Sequence, residues 1–155
     1  MFDRSLIDTY AAGGEKLREA VRGLSPEQLG AFPVPGTWSI QQIVVHLQDS
    51  DAVAVERMKR IAAMDNPLML GYDENAFVQR LFPEHQPVGE TIDLFDLNRR
   101  LWAITMRHLL DEAFLRTGVH SERGKVSLRE LLEDYIRHLD HHLGFIHRKR
   151  EMLLS

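Results

Sequence analysis

Two apolar stripes run side by side through the segment from Ser127 to Leu153, and no other feature restricts the fold as strongly. Leu132, Ile136, Leu139, Leu143 and Ile146 recur at helical spacing, and so do Leu131, Tyr135, His138, His142 and Phe145. Adjacent stripes make one wide apolar face on a long helix, and that face has to be covered by other helices. Ser127 followed three residues later by Glu130 reads as the capping box that opens it.

Three further segments carry the same period. The first runs from about Asp3 to Arg22, with Leu6, Ile7, Tyr10, Leu17 and Val21 as its stripe, and stops at Gly23. Ser25-Pro26-Glu27-Gln28 then fits a short helical turn, with Ser25 as N-cap and Pro26 at the first helical position. A second capping box, Ser39 with Gln42, opens a helix to about Met64 whose core seam is Ile40, Val44, Leu47, Ala54, Met58 and Ile61. The third long helix spans about Thr91 to Leu115, with Ile92, Phe95, Leu101, Ile104, Met106 and Leu109 among its apolar positions.

Between the second and third long helices, from Asp65 to Glu90, lie Pro67, Gly71, Pro83, Pro87 and Gly89, with a short helix near Glu74 to Arg80. A connection of this length in a compact bundle is usually functional or spans the end of the bundle. No segment alternates β-branched residues between hairpin turns, and the polar stretch from Thr117 to Lys125 reads as a loop. The expectation is an all-α four-helix bundle in a single domain over residues 1–155, with a long connection between helices 2 and 3 that allows a topology other than up-and-down.

Composition narrows the function. The 155 residues suffice for a core without disulfides, and a net charge of -4 offers no electrostatic footprint for nucleic acid or an anionic membrane. There is no cysteine, which excludes disulfides, thiolate ligands and a protein thiol as nucleophile, so any thiol chemistry needs an external thiol. Met1-Phe2-Asp3-Arg4-Ser5 has no apolar leader character and no window approaches eighteen apolar residues, so a cytoplasmic location with no membrane partner is expected.

His138 and His142 stand one above the other on one helical face, close enough to hold one cation. A third ligand must come from elsewhere, and His46 is the candidate, on a line with Ile43 and Val53 at the edge of the second helix's buried face. Neutral imidazoles suit zinc, nickel, iron or copper, whereas calcium and magnesium prefer oxygen. Three protein ligands leave an open position in which a water or thiol becomes more acidic.

The competing reading makes His138 and His142 core histidines hydrogen-bonded to backbone or carboxylates, with no metal. His141 shares its line with Asp134 and Arg148, which makes His138 with His141 the second choice of pair, and His85 is a surface residue unless the long loop brings it over the site. His108, His120 and His147 have no comparable context. Asp49 and Asp134 are spaced to orient imidazoles. Trp38 either walls a pocket or packs as a staple at the helix entry. The run His147-Arg148-Lys149-Arg150 complements the negative end of the last helix and is slight evidence for an anionic partner.

With these residues in place, the chain resembles the DinB/YfiT-like superfamily of metal-binding four-helix bundles. The resemblance rests on Trp38-Ser39-Ile40 leading to His46-Leu47, on Gly118 to Gly124 followed by Ser127-Leu128-Arg129-Glu130-Leu131-Leu132, and on His138-x-x-His141-His142. Phe145 stands where the family commonly has Gln, a mild departure. The resemblance implies a metal bound by His46, His138 and His142, and a tendency to form homodimers. Some relatives are thiol transferases or thiol-dependent isomerases that use bacillithiol or mycothiol; others are described as candidate metal-dependent hydrolases.

The leading expectation is therefore a thiol-transferase-type enzyme, with zinc or nickel on the three histidines and a low-molecular-weight thiol as cosubstrate acting on a small molecule. A hydrolase using metal-bound water is the second reading. The third is a stress-related metal-binding protein without catalysis, its site closed by His85 or His141. The sequence singles out no general acid or base and no substrate.

Overall fold

The computed structural model describes all residues 1–155. Its long helices are α4 (Ile40–Ala63), α6 (Val88–His108) and α7 (Leu128–Leu154), with α1 (Ser5–Ala11) and α2 (Gly13–Val21) together forming the fourth rod of the bundle. A short α3 (Pro26–Gly30) precedes α4. The four-rod helical architecture anticipated above is present.

The capping boxes explain where the site-bearing helices begin. The Ser39 side chain accepts from the Gln42 amide while Gln42 Oε1 accepts from the Ser39 amide, and Ser127 with Glu130 does the same for α7. Each box satisfies donors that a helix start leaves free. The seam Ile40, Val44, Leu47, Ala54, Met58 and Ile61 is fully buried, as its spacing requires.

Three expectations about the helices need correction. The first helix is interrupted at Ala12, just before Gly13 and Gly14. These glycines let α6 come close: a Cβ on Gly13 would stand 2.5 Å from Arg99 Nη1, and one on Gly14 2.3 Å from Asp96. The third long helix ends at His108 instead of Leu115, because Asp111 and Phe114 are held by the N-terminus. Asp111 accepts from Arg4 and from the Phe2 amide, and the Phe114 ring stacks on Phe2 at 3.6 Å. On α6, Leu101 and Ile104 face outward with Leu94 and Leu97, a stripe about half exposed.

The stretch from Thr117 to Lys125, read as loop, holds most of a small sheet beside the bundle. Strand β1 (Leu68–Met69) pairs in parallel with β2 (Thr117–His120), which pairs antiparallel with β3 (Gly124–Ser127). These strands are too short for periodicity to show. Gly118 is needed where they meet, since a Cβ there would lie 2.8 Å from the Pro67 carbonyl oxygen. The sheet ties down the segment after α4 and so fixes the start of α5 (Glu74–Arg80). Gln41 Nε2 holds the far end of this segment by donating to the Glu84 and Gln86 carbonyls.

The core is divided in two by a polar layer. One apolar cluster includes Tyr10, Ala54, Met58, Trp102 and Leu131; the other includes Leu17, Val44, Leu47, Phe95, Leu139 and Ile146. Between them on α4 lie Ser50 and Asp51, on α6 Arg99, and on α7 Tyr135 and His138. Arg99 and Asp51 are each 1% exposed and paired at 2.8 Å. Asn98 and the Tyr10 hydroxyl also donate to Asp51, and the guanidinium lies against the Tyr10 and Phe95 rings, 4.3 and 4.4 Å from their centres. Burial pushes the Asp51 carboxyl up, against the pull of Arg99, Asn98 and Tyr10.

Removing one member of a buried pair strands the other charge, which costs about 3–5 kcal/mol. Asp51→Ala is therefore expected to lose stability of that order in urea unfolding, and Asp51→Ala with Arg99→Met to recover much of it. A loss of Asp51 that costs no more than a surface substitution would show that the pair does not hold the layer together.

Candidate metal centre

Helix α4 carries His46 almost two turns past its cap, and α7 carries His138 and His142 one turn apart on its inward face. The structure brings these three together across 92 residues of sequence: their candidate ligand nitrogens all lie within 4.8 Å of one another. His46 Nε2 and His138 Nε2 are 3.2 Å apart. Two nitrogens on a tetrahedral zinc ion, each about 2.0–2.1 Å from it, would be separated by roughly 3.3 Å. This pair therefore already has the spacing of two ligands.

The electrostatics agree. Burial pushes His46 down to about 4, with help from His138; it pushes His138 down to about 4, with Arg99 and His141 adding to the effect. His142 is pushed down to about 3 by burial and by its three histidine neighbours. All three are neutral at pH 7 and present lone pairs instead of competing charges. His142 Nδ1 is buried without a hydrogen-bond partner. Three neutral imidazoles, one with an unsatisfied buried nitrogen, form a donor set that fits a transition-metal ion.

His46 is 1% exposed, deeper than the edge position its sequence line suggests. The other two line a cavity of about 760 Å³ together with Trp38, Ile43, Phe145 and Met152. The Trp38 ring lies 4.9 Å from that of His46 and nearly parallel to that of His142, so Trp38 does wall the site. His141 also lines the cavity but is outside the cluster, and His85 is an exposed side chain beside Glu84. Neither closes the site. Asp134 is drawn to Arg123 and Arg137, and Asp49 makes no hydrogen bond to His46, so neither orients an imidazole.

Residues that the sequence did not single out complete the surroundings. Glu74, the first residue of α5, is half exposed, and its Oε2 lies 3.7 Å from His46 Nε2. Its place follows from the anchoring of the long connection, and no local motif marks it. Behind the histidines, Arg57 Nη1 donates to the Tyr135 hydroxyl at 3.0 Å, and the Tyr72 hydroxyl bonds Ser50. The Tyr135 ring meets His138 edge-on, and burial pushes Tyr72 up to about 12.

Comparison with known proteins follows the same lines. The DinB superfamily profile matches residues 9–146. The chain belongs to the DinB superfamily. It is 30% identical over 130 residues to a candidate metal-dependent hydrolase of Oceanobacillus iheyensis, covering 84% of this chain and 75% of that one. It is also 30% identical over 133 residues to YfiT of Bacillus subtilis, another candidate metal-dependent hydrolase, covering 84% and 74%. The solved structure of YfiT, described as a four-helix bundle of unusual topology, superposes with a TM-score of 0.89 at 25% identity over 95% of this chain and 85% of that one. A mycothiol-dependent maleylpyruvate isomerase shares the fold, with a TM-score of 0.70 at 12% identity over 90% of this DinB chain and 58% of that protein.

Two outcomes are expected. Elemental analysis of purified, untagged protein should find about one transition-metal ion per chain, lost when His138 and His142 are both replaced by alanine; metal retained by that variant would place the site elsewhere. In the metal-free protein, the unfolded chain's imidazoles titrate near 6.5 while the folded ones stay neutral down to about 4. Unfolded chains therefore bind more protons, and stability falls as pH drops from 6.5 toward 4. Melting temperatures at pH 7 and pH 5 check this, and equal values would contradict it.

Proposed function

We propose that this protein is a metal-dependent transferase in which His46, His138 and His142 hold zinc or nickel and an external low-molecular-weight thiol is the nucleophile. The observation that carries this reading is the opening of the three-histidine cluster onto a cavity large enough for two small reactants. A bound transition-metal ion would supply the Lewis acidity that makes a thiol acidic at neutral pH. The absence of cysteine means that the sulfur has to come from outside.

The remaining roles belong to the chain. Glu74, with its carboxylate 3.7 Å from His46 Nε2, is placed to accept the S–H proton. The sulfur electron pair then forms the new bond to an electrophilic carbon of the second reactant, and the leaving group departs with its bonding pair. Trp38, Phe145 and Met152 give the reactants an apolar wall and limit water around them.

A second reading puts water in place of the thiol, and the descriptions of the two relatives as candidate metal-dependent hydrolases favour it. The two separate in one assay. Metal-loaded protein is offered an aryl halide with glutathione, cysteine or bacillithiol, and in parallel a panel of nitrophenyl esters without thiol. Metal-dependent thioether formation is expected, falling about tenfold or more in Glu74→Gln at unchanged metal content. Ester turnover without thiol, and no thioether, would assign the protein to the hydrolases.

A further inference from the structure

The cavity is chemically different at its two ends. His138, His142 and Glu74 mark the reacting end. Lys149 and Arg148, on the same helix, line the cavity as well, and Glu74 is the only carboxylate that does so.

Lys149 is the unusual one. It is 5% exposed and has no carboxylate partner; its ammonium makes one hydrogen bond, to Thr37 Oγ1 at 2.5 Å. An ammonium can donate three. Carboxylates are not scarce in this chain, which has 23 acidic residues against 19 lysines and arginines; of the other buried cations, Arg99 has its own aspartate, and Arg57 donates to the Tyr135 hydroxyl and the Leu70 carbonyl. Leaving a buried cation unpaired is costly unless something else supplies acceptors. Arg148 is also free of ion pairs, its guanidinium 5.0 Å from the centre of the Phe145 ring, which forms part of the same wall.

We propose that Lys149, with Thr37 and Arg148, forms a subsite for an anionic oxygen group, a carboxylate or a phosphate monoester, and so selects reactants that carry one. Burial lowers the Lys149 ammonium from its ordinary value, and a bound anion would oppose that shift. The subsite also sets a length. Lys149 follows His142 by seven residues, two helical turns, so the two lie roughly 10 Å apart along the α7 axis. A ligand that reaches both ends is elongated, with its anion near one end and its reacting atom near the other. This inference takes the reacting end from the function proposed above, and the experiment separates the two.

Zinc-loaded protein is titrated calorimetrically with 6-mercaptohexanoate and with 6-mercaptohexan-1-ol, which differ only in the anion. A charge-assisted hydrogen bond is worth enough that the acid should bind about tenfold tighter. That preference should vanish in Lys149→Met, with the affinity for the alcohol unchanged, and be largely retained in Lys149→Arg. If both thiols bind equally to the unsubstituted protein, the carboxylate form of the subsite is overturned, although the thiol reading survives. Metal-free protein is titrated with hexanoate, hexyl phosphate and hexan-1-ol. A Lys149-dependent preference for one of the anions over hexan-1-ol supports the subsite and identifies which anion it takes, even if neither thiol binds the zinc form; in that case it is the thiol reading that falls. No preference for either anion would overturn the subsite.

Discussion

The ion pair between Arg99 and Asp51 is the contact on which the rest of the bundle depends. It joins α6 to α4 in the dry interior, and through the Arg99 Nη2 donation to the Tyr135 carbonyl, 3.0 Å, it also fixes α7 one turn before His138. The same guanidinium reaches the Tyr10 carbonyl, so every rod of the bundle touches it. Large polar groups in a core have to be accommodated by small ones, and Gly13, against the Arg99 guanidinium, is where that happens. The interruption of the first rod, the split of the apolar core and the position of the histidines thus share one origin. A polar layer of this kind fixes register between helices in a way that interchangeable aliphatic contacts do not.

The layer also explains how a cluster of imidazoles is tolerated indoors. Three rings packed against Trp38, Tyr135 and one another are held neutral by burial, and the positive Arg99 nearby further discourages protonation of His138. Glu74 approaches His46 from the start of α5 and keeps half its surface exposed. The site therefore has a rigid inner half built on long helices and an outer half delivered by the connection. Family membership adds kinship with proteins described as candidate metal-dependent hydrolases.

What the sequence revealed depended on the range over which each signal acts. Helices of more than twenty residues repeat their pattern often enough to be read, and the capping boxes at Ser39 and Ser127 mark their starts to the residue. His138 and His142 were legible because one helical turn sets their spacing, and His46 because its line adjoins a buried seam. The sheet was not, since β1 is two residues long and is held by pairing with a strand about fifty positions away. The end of α6 was missed for a related reason: the Phe2 and Arg4 contacts that pull residues 111–114 aside are long-range. Glu74 gave no signal at all, because its proximity to His46 is a product of the sheet and of Gln41. Lys149 looked like a charge at a helix end, and only its burial shows otherwise.

The separation of His46 from His138 along the chain has a consequence for how the protein folds and lasts. A cation shared by residues 92 positions apart closes a loop of that length, so it can bind in full only after α7 has docked on α4. If His46 and His138 share a metal ion, its uptake would be the last step of folding. An ion present at a hundred times its dissociation constant would add about 2.7 kcal/mol to the stability of the native state by mass action alone. The lifetime of the folded chain would follow the metal supply around it, and a shortage would lower the stability of the whole bundle as well as silence the site.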